Sequence, residues 1–312
     1  MDYIEVEIDS TLATISNSSA SAKDTPLINI GRTLTNIVGA KILEVNIPFS
    51  YYVISDRFSA INGVLENRLG LVWSGAGNET IDIPPGNYTG TSLAAVIQTG
   101  LQAVVGSFFG DPFNPPATAS CTFNTASGKF TMTINQNPVG LTPVNAEALA
   151  FTYSTELGII LGFTGTTINW TPQTLSAVYT VSSINIANVT GPNNLYVNSV
   201  TLGNICKAYL PQSSLVTGET NPQMAMVPVN VNPGGIIWWQ DPAPQEVFDT
   251  KNLFSLSQMD LYITAGTDPR PLLFNGLGFQ IKLMLFVRYN EQGVSQAGTL
   301  GQNRAVLSIR PT

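Results

Sequence analysis

The sequence predicts a mainly β fold: two packed antiparallel sheets, interrupted by one inserted module made of a helix and a hairpin. Two observations predict it. Along most of the chain, apolar and polar residues alternate in short segments, which is the period-2 pattern of half-buried strands. The segment "IDIPPGNYTGTSLAAVIQTGLQAVV" instead repeats its apolar residues at helical spacing. At 312 residues, one large β domain and a domain with an insertion are both compatible with the length.

Three strand candidates precede the helix. In "YIEVEID", three apolar residues alternate with Glu5, Glu7 and Asp9. The second candidate, "GAKILEVNIPFSYYVI", is expected to end or bulge at Pro48. The third is "VLENRLGLVW", which Gly70 is expected to break.

The inserted module begins with a forced turn. Pro84, Pro85 and Gly86 prevent a strand from continuing, and Thr89 or Thr91 can cap the helix that follows. Gly106 is expected to end that helix. Its apolar stripe consists of Leu93, Val96, Ile97, Leu101, Val104 and Val105. Such a stripe has to cover apolar surface, and a sheet face or sheet end is what this chain offers.

A hairpin and a second helical turn complete the module. The hairpin is "CTFNTASGKFTMTI", with Gly128 in its turn, and the helical turn lies around Leu157 to Leu161. Five further strand candidates follow: "LSAVYTVSSINIAN", "NLYVNSVTL", "MAMVPVNVN" with "GGIIWW", "LSQMDLYIT" and "GFQIKLMLFVRY". In the last one, Met284 and Phe286 fall on the expected solvent face, which predicts a strand covered on both sides.

Eight strands in two sheets is the number of a jelly roll. The predicted division is therefore a jelly-roll base formed by residues 1–77 and 173–312, with residues 78–172 inserted between its third and fourth strands. The polar C-terminal stretch, which contains Arg304 and Arg310, is either an ordered arm or a frayed terminus.

The low charge of the chain favours a surface that packs against neighbours. Charged residues make up 11% of the sequence, against about 25% in an average soluble protein. The polar surface must then come mainly from Asn, Ser, Thr and Gln, whose burial costs less than that of a charge. Secreted adhesins share this composition, so an adhesin remains an alternative.

Several classes of partner are disfavoured. The net charge is −7, and 13 scattered basic residues do not form a phosphate-binding surface, so direct nucleic-acid binding is not expected. The N-terminal residues lack the pattern of a signal peptide, and no apolar run approaches 18 residues, so no membrane span is expected. Cys121 and Cys206 are each isolated, which is neither a disulfide framework nor a zinc pattern.

The chain contains no histidine, which removes the Ser-His-Asp and Cys-His catalytic arrangements and most zinc sites. Glu5, Glu7 and Asp9 could form a cation site, but a solvated strand face is the expected reading. Three further aspartates lie beside prolines or in loops, where they are ordinary turn residues: Asp241, Asp249 and Asp268. We therefore expect no catalytic, cofactor-binding or metal site, and no cofactor.

Two adjacent tryptophans are the strongest candidates for a contact surface. Residues next to each other in a strand point to opposite faces, so Trp238 and Trp239 cannot share one face. One reading places one of them in the core and the other against a neighbouring subunit or a sugar, since Trp is enriched at interfaces. The other reading covers both with loops.

The order of the motifs resembles a known family. Taken together, "IDIPPGNYTGTSLAAVIQTGLQ", "CTFNTASGKFTMTI" and "ELGIILGFTG" resemble a module of single jelly-roll penton and minor capsid proteins. These proteins occur in virophages, polinton-like viruses and nucleocytoplasmic large DNA viruses. The segments "ILEVNIPFSYYVIS" and "LFSLSQMDLYIT…LLFNGLGFQIKLML" are similar to the second and the final two strands of that family. Ile160 departs from the usual Leu-Leu-Gly-Phe pattern.

The resemblance implies a structural capsid protein of a double-stranded DNA virus, most simply a penton subunit that forms pentamers at the five-fold vertices. It implies a location in the virion next to the major capsid protein, synthesis in the host cytoplasm, and an outward insertion that can contact a host surface. The alternatives are another minor capsid or cement protein, or a receptor-binding spike with a β-sandwich head. A hydrolase on a jelly-roll or cupin scaffold ranks last, because cupins commonly bind a metal through several histidines and this chain has none.

Overall fold

The structure is a computed structural model, and it confirms the prediction of a mainly β fold. It describes residues 2–10, 27–59, 63–73, 77–108, 117–135, 149–170, 178–203, 223–241, 254–265, 270–275, 277–288 and 305–308. The strands in this part of the chain are β1 (Asp2–Asp9), β2 (Leu27–Pro48), β3 (Arg68–Trp73), β4 (Gly77–Asp82), β5 (Thr118–Asn124), β6 (Lys129–Asn135), β7 (Leu149–Tyr153), β8 (Thr167–Trp170), β9 (Val178–Ser182), β10 (Asn194–Asn198), β11 (Gln223–Pro228), β12 (Ile236–Gln240), β13 (Phe254–Asp260), β14 (Tyr262–Ala265), β15 (Gln280–Val287) and β16 (Ala305–Ser308). The helices are α1 (Gly90–Phe108), α2 (Thr155–Leu161) and α3 (Val200–Gly203).

The chain divides into two units. The first unit comprises Met1–Tyr51 and Pro192–Thr312, and the second comprises Tyr52–Gly191. All residues of the predicted insertion, 78–172, belong to the second unit, which begins earlier and ends later than the prediction. Two strand assignments need correction: β3 was expected as the third strand of the base and β9 as the fourth, but β3 pairs with β4 and β7, and β9 pairs with β6. The eight-strand count of the roll stays a prediction.

Gly70 does not break β3, contrary to expectation. It pairs with Thr80 on one side and Thr152 on the other. A Cβ at this position would overlap the Thr152 hydroxyl. Because glycine has no Cβ, the Thr152 side chain can occupy that space. In this strand the glycine is therefore explained by close packing.

The first unit contains two sheets. One has the strand order β12-β2-β15-β1-β16, with β13 pairing to the first part of β2, and the other has the order β11-β10-β14. Most pairs are antiparallel, whereas β16 runs parallel to β1, with Ile4 opposite Ala305. Of the predicted C-terminal arm, residues 305–308 thus form a strand, and Arg304 and Arg310 lie outside the described residues.

β2 is longer than the sequence predicts, because it begins at Leu27. Asn36 has a left-handed backbone conformation (φ 61°), and the pairing with both neighbours changes register close to it. A bulge of this kind shifts the alternation of side chains by one residue. The period-2 pattern is lost there, and only the second part of β2 is recognisable from the sequence. The strand ends at Pro48, as predicted.

The core of the first unit follows the alternation in the strands. Side chains at every second position are buried in β1, β2 and β15: Val6, Ile8, Val45, Ile47, Ile281, Leu283 and Leu285. In the second sheet the buried apolar side chains are Leu195, Val197, Ala225, Val227 and Ile263. Phe286 on the opposite face of β15 is also buried, which confirms that the end of this strand is covered on both sides.

A buried carboxylate organises the short helix α3. Asp260 accepts hydrogen bonds from the backbone N–H groups of Val200 and Thr201, both at 2.8 Å, and from the Ser199 hydroxyl at 3.2 Å. Burial by itself raises the pKa of the Asp260 carboxyl, but the hydrogen bonds from Thr201 and Val200 outweigh it and lower that pKa below its usual value. The ionised form is therefore the one that the fold stabilises.

This carboxylate predicts a pH-dependent stability. We expect Asp260→Asn to lower the free energy of unfolding at pH 7 by about 2 kcal/mol, because the amide keeps only one acceptor oxygen and turns its NH2 donor towards one of the two backbone N–H groups. Because the folded-state pKa is depressed, the stabilisation is present above the unfolded-state pKa and is lost as the pH falls through the folded-state value. Urea unfolding at pH 7 and pH 3 should show the gap to wild type narrowing at pH 3.

The matched control is Asp82→Asn. Asp82 also has a lowered pKa, because Arg68 donates a hydrogen bond to it at 2.7 Å, but this ion pair is exposed. Exposed pairs contribute about 0–1 kcal/mol, so this variant should remain close to wild type at both pH values. An equal loss for Asp260→Asn at pH 7 and pH 3 would contradict a role for the ionised carboxylate.

The second unit packs α1 and α2 with two sheets, ordered β4-β3-β7-β8 and β5-β6-β9. The predicted apolar stripe of α1 is confirmed: its members are buried apart from the half-buried Val96. Thr89 is the cap, since its hydroxyl accepts from Ser92 N at 3.1 Å, whereas Thr91 lies inside the helix. Gly106 does not end the helix, which continues to Phe108.

Helix α1 also covers the edge strand of a sheet. β5 is at one end of its sheet, where backbone groups would otherwise lack strand partners. Gln102 donates through Nε2 to Ala117 O at 3.1 Å and accepts at Oε1 from Ala119 N at 2.8 Å. Gln98 Oε1 accepts from Cys121 N at 3.4 Å. The apolar stripe packs into the core with residues of the sheets, as expected. The glutamines, which were not predicted, in addition take the place of a neighbouring strand along the edge of β5.

The hairpin and the second helical turn form as predicted. β5 and β6 pair from Thr118 opposite Asn135 to Asn124 opposite Lys129, with Gly128 at φ 66° in the turn. Helix α2 is capped at its start by Ser154, whose hydroxyl accepts from Leu157 N at 3.0 Å. It ends at Gly162, which has φ 79°.

Candidate assembly surface

The candidate functional site is a set of exposed apolar residues near the end of β2 in the first unit. β12 pairs with this end, so that Ile236 lies opposite Pro48 and Trp238 lies opposite Asn46. Ile236 and Trp238 are 66% and 55% exposed, although both are large and apolar. Since alternate residues of a strand share one face, the two side chains lie on the same face of the sheet.

Trp238 is held in a defined orientation. Its indole Nε1 donates to Glu44 Oε1 at 2.9 Å, and Asn46 Nδ2 donates to the same oxygen at 3.4 Å. A tryptophan fixed by its polar end presents its ring with little conformational entropy left to lose on binding. The two tryptophans point to opposite faces, as predicted, with Trp239 half-buried.

A loop before β15 adds two more exposed apolar residues beside the same strand end. Leu273 and Leu277 are 47% and 58% exposed. The loop is attached to the segment that directly follows β2, because Ser50 Oγ donates to Phe274 O at 2.6 Å and Asn275 Nδ2 donates to Ser50 O.

Aromatic packing fixes this loop further. The Phe274 ring lies edge-on to Tyr51 at 6.1 Å and to Phe279 at 5.7 Å, and Tyr51 stacks on Phe49 at 4.5 Å. Such ring pairs stabilise a loop beyond their buried area. We call Ile236, Trp238, Leu273 and Leu277 the apolar rim.

The acidic face of β1 differs from the expectation of a solvated strand face. Glu5 is buried at 6% exposure and lies 3.5 Å from Lys282 Nζ, whereas Glu7 is exposed and Asp9 is half-buried. β1 is an inner strand between β15 and β16, which gives Glu5 neighbours on both sides. In the described ranges, no group of three or more His, Cys, Asp or Glu residues could bind a metal ion.

The remaining polar candidates have structural surroundings or lie beyond the described ranges. Asp241 forms an ion pair with Lys41 at 3.1 Å directly after β12. Asp249, Asp268 and Cys206 lie outside the described residues. Cys121 is buried on β5, and this burial raises the pKa of its thiol to about 12. Burial therefore disfavours the thiolate form of this cysteine.

The second unit has an exposed apolar surface of its own. Ile159, Ile184 and Ile186 are exposed, and we call them the isoleucine patch. Ile159 and Ile186 line a hollow of about 320 Å³ together with Phe163, Asn185 and Asn188. An exposed apolar patch was not expected here, although Ile184 and Ile186 alternate with polar residues in "SSINIAN".

The isoleucine patch rests on a fixed backbone. Asn185 N donates to Gly162 O at 2.9 Å, and Ala187 N donates to Gly128 O at 2.8 Å. Ser183 N donates to Phe130 O at 2.8 Å. The segment that carries two of the isoleucines is thus attached to the end of α2 and to the hairpin.

None of the helices in the described ranges is long and apolar enough to cross a membrane. No protein-family model matches the chain, and no curated protein matches it. Among solved structures the chain is similar to the SeMet-labelled mavirus penton protein, with 11% identity and a TM-score of 0.44 over 91% of this chain and 99% of that chain. It is also similar to a chain of the Sputnik virophage determined by cryo-EM at 3.5 Å, with 11% identity and a TM-score of 0.42 over 92% and 98%. Both TM-scores lie below 0.5, so neither likeness assigns this chain to a family.

Proposed function

We propose that the chain is a structural capsid protein of a double-stranded DNA virus, and specifically the penton subunit that forms pentamers at the five-fold vertices. On this proposal its partners are four further copies and the neighbouring major capsid protein, and its place is the capsid shell of a virion assembled from protein made in the host cytoplasm. The order of the sequence motifs supports this class of protein, and the apolar rim supports assembly.

The observation that carries the proposal is the apolar rim. Four large apolar side chains are exposed on one unit, and hydrogen bonds and ring contacts fix both the strand and the loop that bear them. Interface hot spots are enriched in Trp. A surface that is ordered before binding also loses less conformational entropy when it binds. A face that is both apolar and ordered is suited to permanent burial against another protein.

The composition supports the same function. With 11% charged residues, copies can pack closely without burying many unpaired charges. The net charge of −7 would repel the phosphates of the viral nucleic acid. On this proposal the chain therefore contacts other proteins and not the genome.

A structural role requires no catalytic centre, and the proposal includes none. The chain has no histidine, and the buried thiol of Cys121 is held in its protonated form. The lowered pKa of Asp260 is explained by its hydrogen bonds to α3, which makes this carboxylate a structural group.

The isoleucine patch favours a second candidate function. An apolar surface on the second unit, beside a hollow edged by Asn185 and Asn188, fits a protein that also contacts a host surface or acts as a cement or spike protein. This function needs the patch and does not need a ring. The two proposals therefore differ in whether copies of the chain form a ring and in which surface the function requires.

The test is the mass of the purified full-length protein. Native mass spectrometry and analytical ultracentrifugation over a concentration series should show a species of five chains in equilibrium with the monomer. Variants with lysine at Ile159 or Ile186 should leave that species intact, because the isoleucine patch is not the ring contact. A ring lost through these two variants would show that the isoleucine patch, and not the apolar rim, is the contact between copies. A chain that stays monomeric would contradict the penton proposal and favour the second candidate, which needs no ring.

A further inference from the structure

The first and the last strand of the described residues, β1 and β16, are neighbours at one edge of the first sheet. β1 pairs along its full length with β15, from Asp2 opposite Val287 to Asp9 opposite Gln280. On its other side, β16 covers four residues of β1, from Ile4 opposite Ala305 to Glu7 opposite Ser308. β16 is therefore a short strand that closes an edge which would otherwise be open for pairing.

The connection to β16 is much longer than this position requires. The end of β15 and the start of β16 lie two strand positions and two residues apart, or about 12 Å at ordinary sheet spacings. Residues 288–304 make up this connection of 17 residues, which can span up to about 56 Å.

The maximum span of the connection exceeds the distance between equivalent points of neighbouring copies. The first unit comprises roughly 170 residues, and equivalent points on two touching domains of that size are about 40 Å apart. The connection can therefore place β16 on the β1 strand of its own chain or on that of a neighbour. Both arrangements have the same register and the same number of strand pairs.

We propose that β16 is exchanged between neighbouring copies in the assembled ring, so that Ala305–Ser308 of one copy closes the β1 edge of the next. This inference rests on the proposed function, since it needs a ring of copies. Exchange leaves every β1 strand paired and adds a covalent link between copies, which is the usual basis of strand swapping in oligomers. The occupant of each β1 edge is thus a named segment of a second copy.

Two single-cysteine variants distinguish exchange from closure within one chain. Glu7 and Ser308 are opposite each other in register, and neighbouring strands lie within the Cα distance that a disulfide requires. Glu7 is also exposed, so Glu7→Cys should be tolerated. Both variants carry Cys206→Ser and retain the buried Cys121.

The experiment is to co-express Glu7→Cys chains and Ser308→Cys chains with different tags, purify the mixed oligomer, oxidise it, and run a non-reducing gel. Exchange places the two cysteines together only across chains and gives a disulfide-linked dimer. Closure within each chain keeps them apart and gives none. Gln240→Cys mixed with Ser308→Cys is the control, because Gln240 lies on β12 at the far end of the sheet order.

Deleting residues 292–299 provides a second test. The remaining nine residues can span about 30 Å, which is enough for closure on the same chain but short of the neighbour. In this background the cross-chain dimer should disappear, while a double variant with both cysteines in one chain should still form its disulfide. A ring that forms without a cross-chain dimer above the control overturns the exchange and leaves the penton proposal standing. A chain that forms no ring overturns both.

Discussion

Trp238→Lys should abolish the pentamer while leaving the subunit folded. Trp238 is 55% exposed in the single chain, and its indole is fixed by Glu44. Loss of a central tryptophan from an interface typically costs about 2–4 kcal/mol, which weakens each contact by roughly 30- to 1,000-fold. Lysine at this position can form an ion pair with Glu44, so the variant should fold normally. It replaces the apolar indole with a charged group, however, where the ring requires an apolar surface.

The measurement is sedimentation over a concentration series, with circular dichroism to check the fold. Leu277→Lys should act in the same direction, because Leu277 belongs to the loop side of the apolar rim. Gln240→Lys is the matched control, since it adds the same charge to an exposed position of the same strand, opposite Glu44. If Trp238→Lys assembles at wild-type concentrations, the apolar rim is not the contact between copies.

Gly162→Ala should be the most damaging small substitution in the second unit. Gly162 has φ 79°, where an alanine costs about 1 kcal/mol. A Cβ here would also overlap the backbone oxygen of Asn185, in the segment that Gly162 itself binds through a 2.9 Å hydrogen bond. We expect a total loss of about 3–4 kcal/mol in the free energy of unfolding, because the segment or the end of α2 must move.

Gly165→Ala separates the two contributions. Gly165 has φ 81°, which is almost the same conformation, but no atom lies within 4 Å of the position that a Cβ would take. This variant should therefore lose only the conformational part, about 1 kcal/mol. Equal losses for the two alanines in urea unfolding would show that the contact between Gly162 and Asn185 does not limit stability.

The local elements of the second unit follow directly from the sequence because their signals are local. The apolar stripe of α1, the Thr89 cap and the glycine turn of the β5–β6 hairpin all depend on residues within one or two turns of chain. Pairing between distant strands does not have such a signal. β3 and β9 were each recognised as strands, but their partners could not be predicted, because the pairing of two strands depends on the path of the whole chain.

The candidate site, too, could be predicted only in part, because it also depends on contacts between segments that are distant in the sequence. The sequence identifies Trp238 as a residue to examine, since the pair with Trp239 forces one ring out of the core. It does not reveal that Leu273 and Leu277 lie beside the same end of β2, because the hydrogen bonds from Ser50 and Asn275 join segments more than 200 residues apart. The burial of Glu5 was likewise missed, since it arises from the strands on either side of β1.

An electron cryo-microscopy map of the intact particle would show where each copy of the chain lies and what its apolar rim contacts. We expect five copies of the chain around each five-fold vertex, with Trp238 and Leu277 buried against the adjoining copy. A map in which the shell contains no copy of the chain would contradict it. So would copies in the shell whose Trp238 faces solvent on every side.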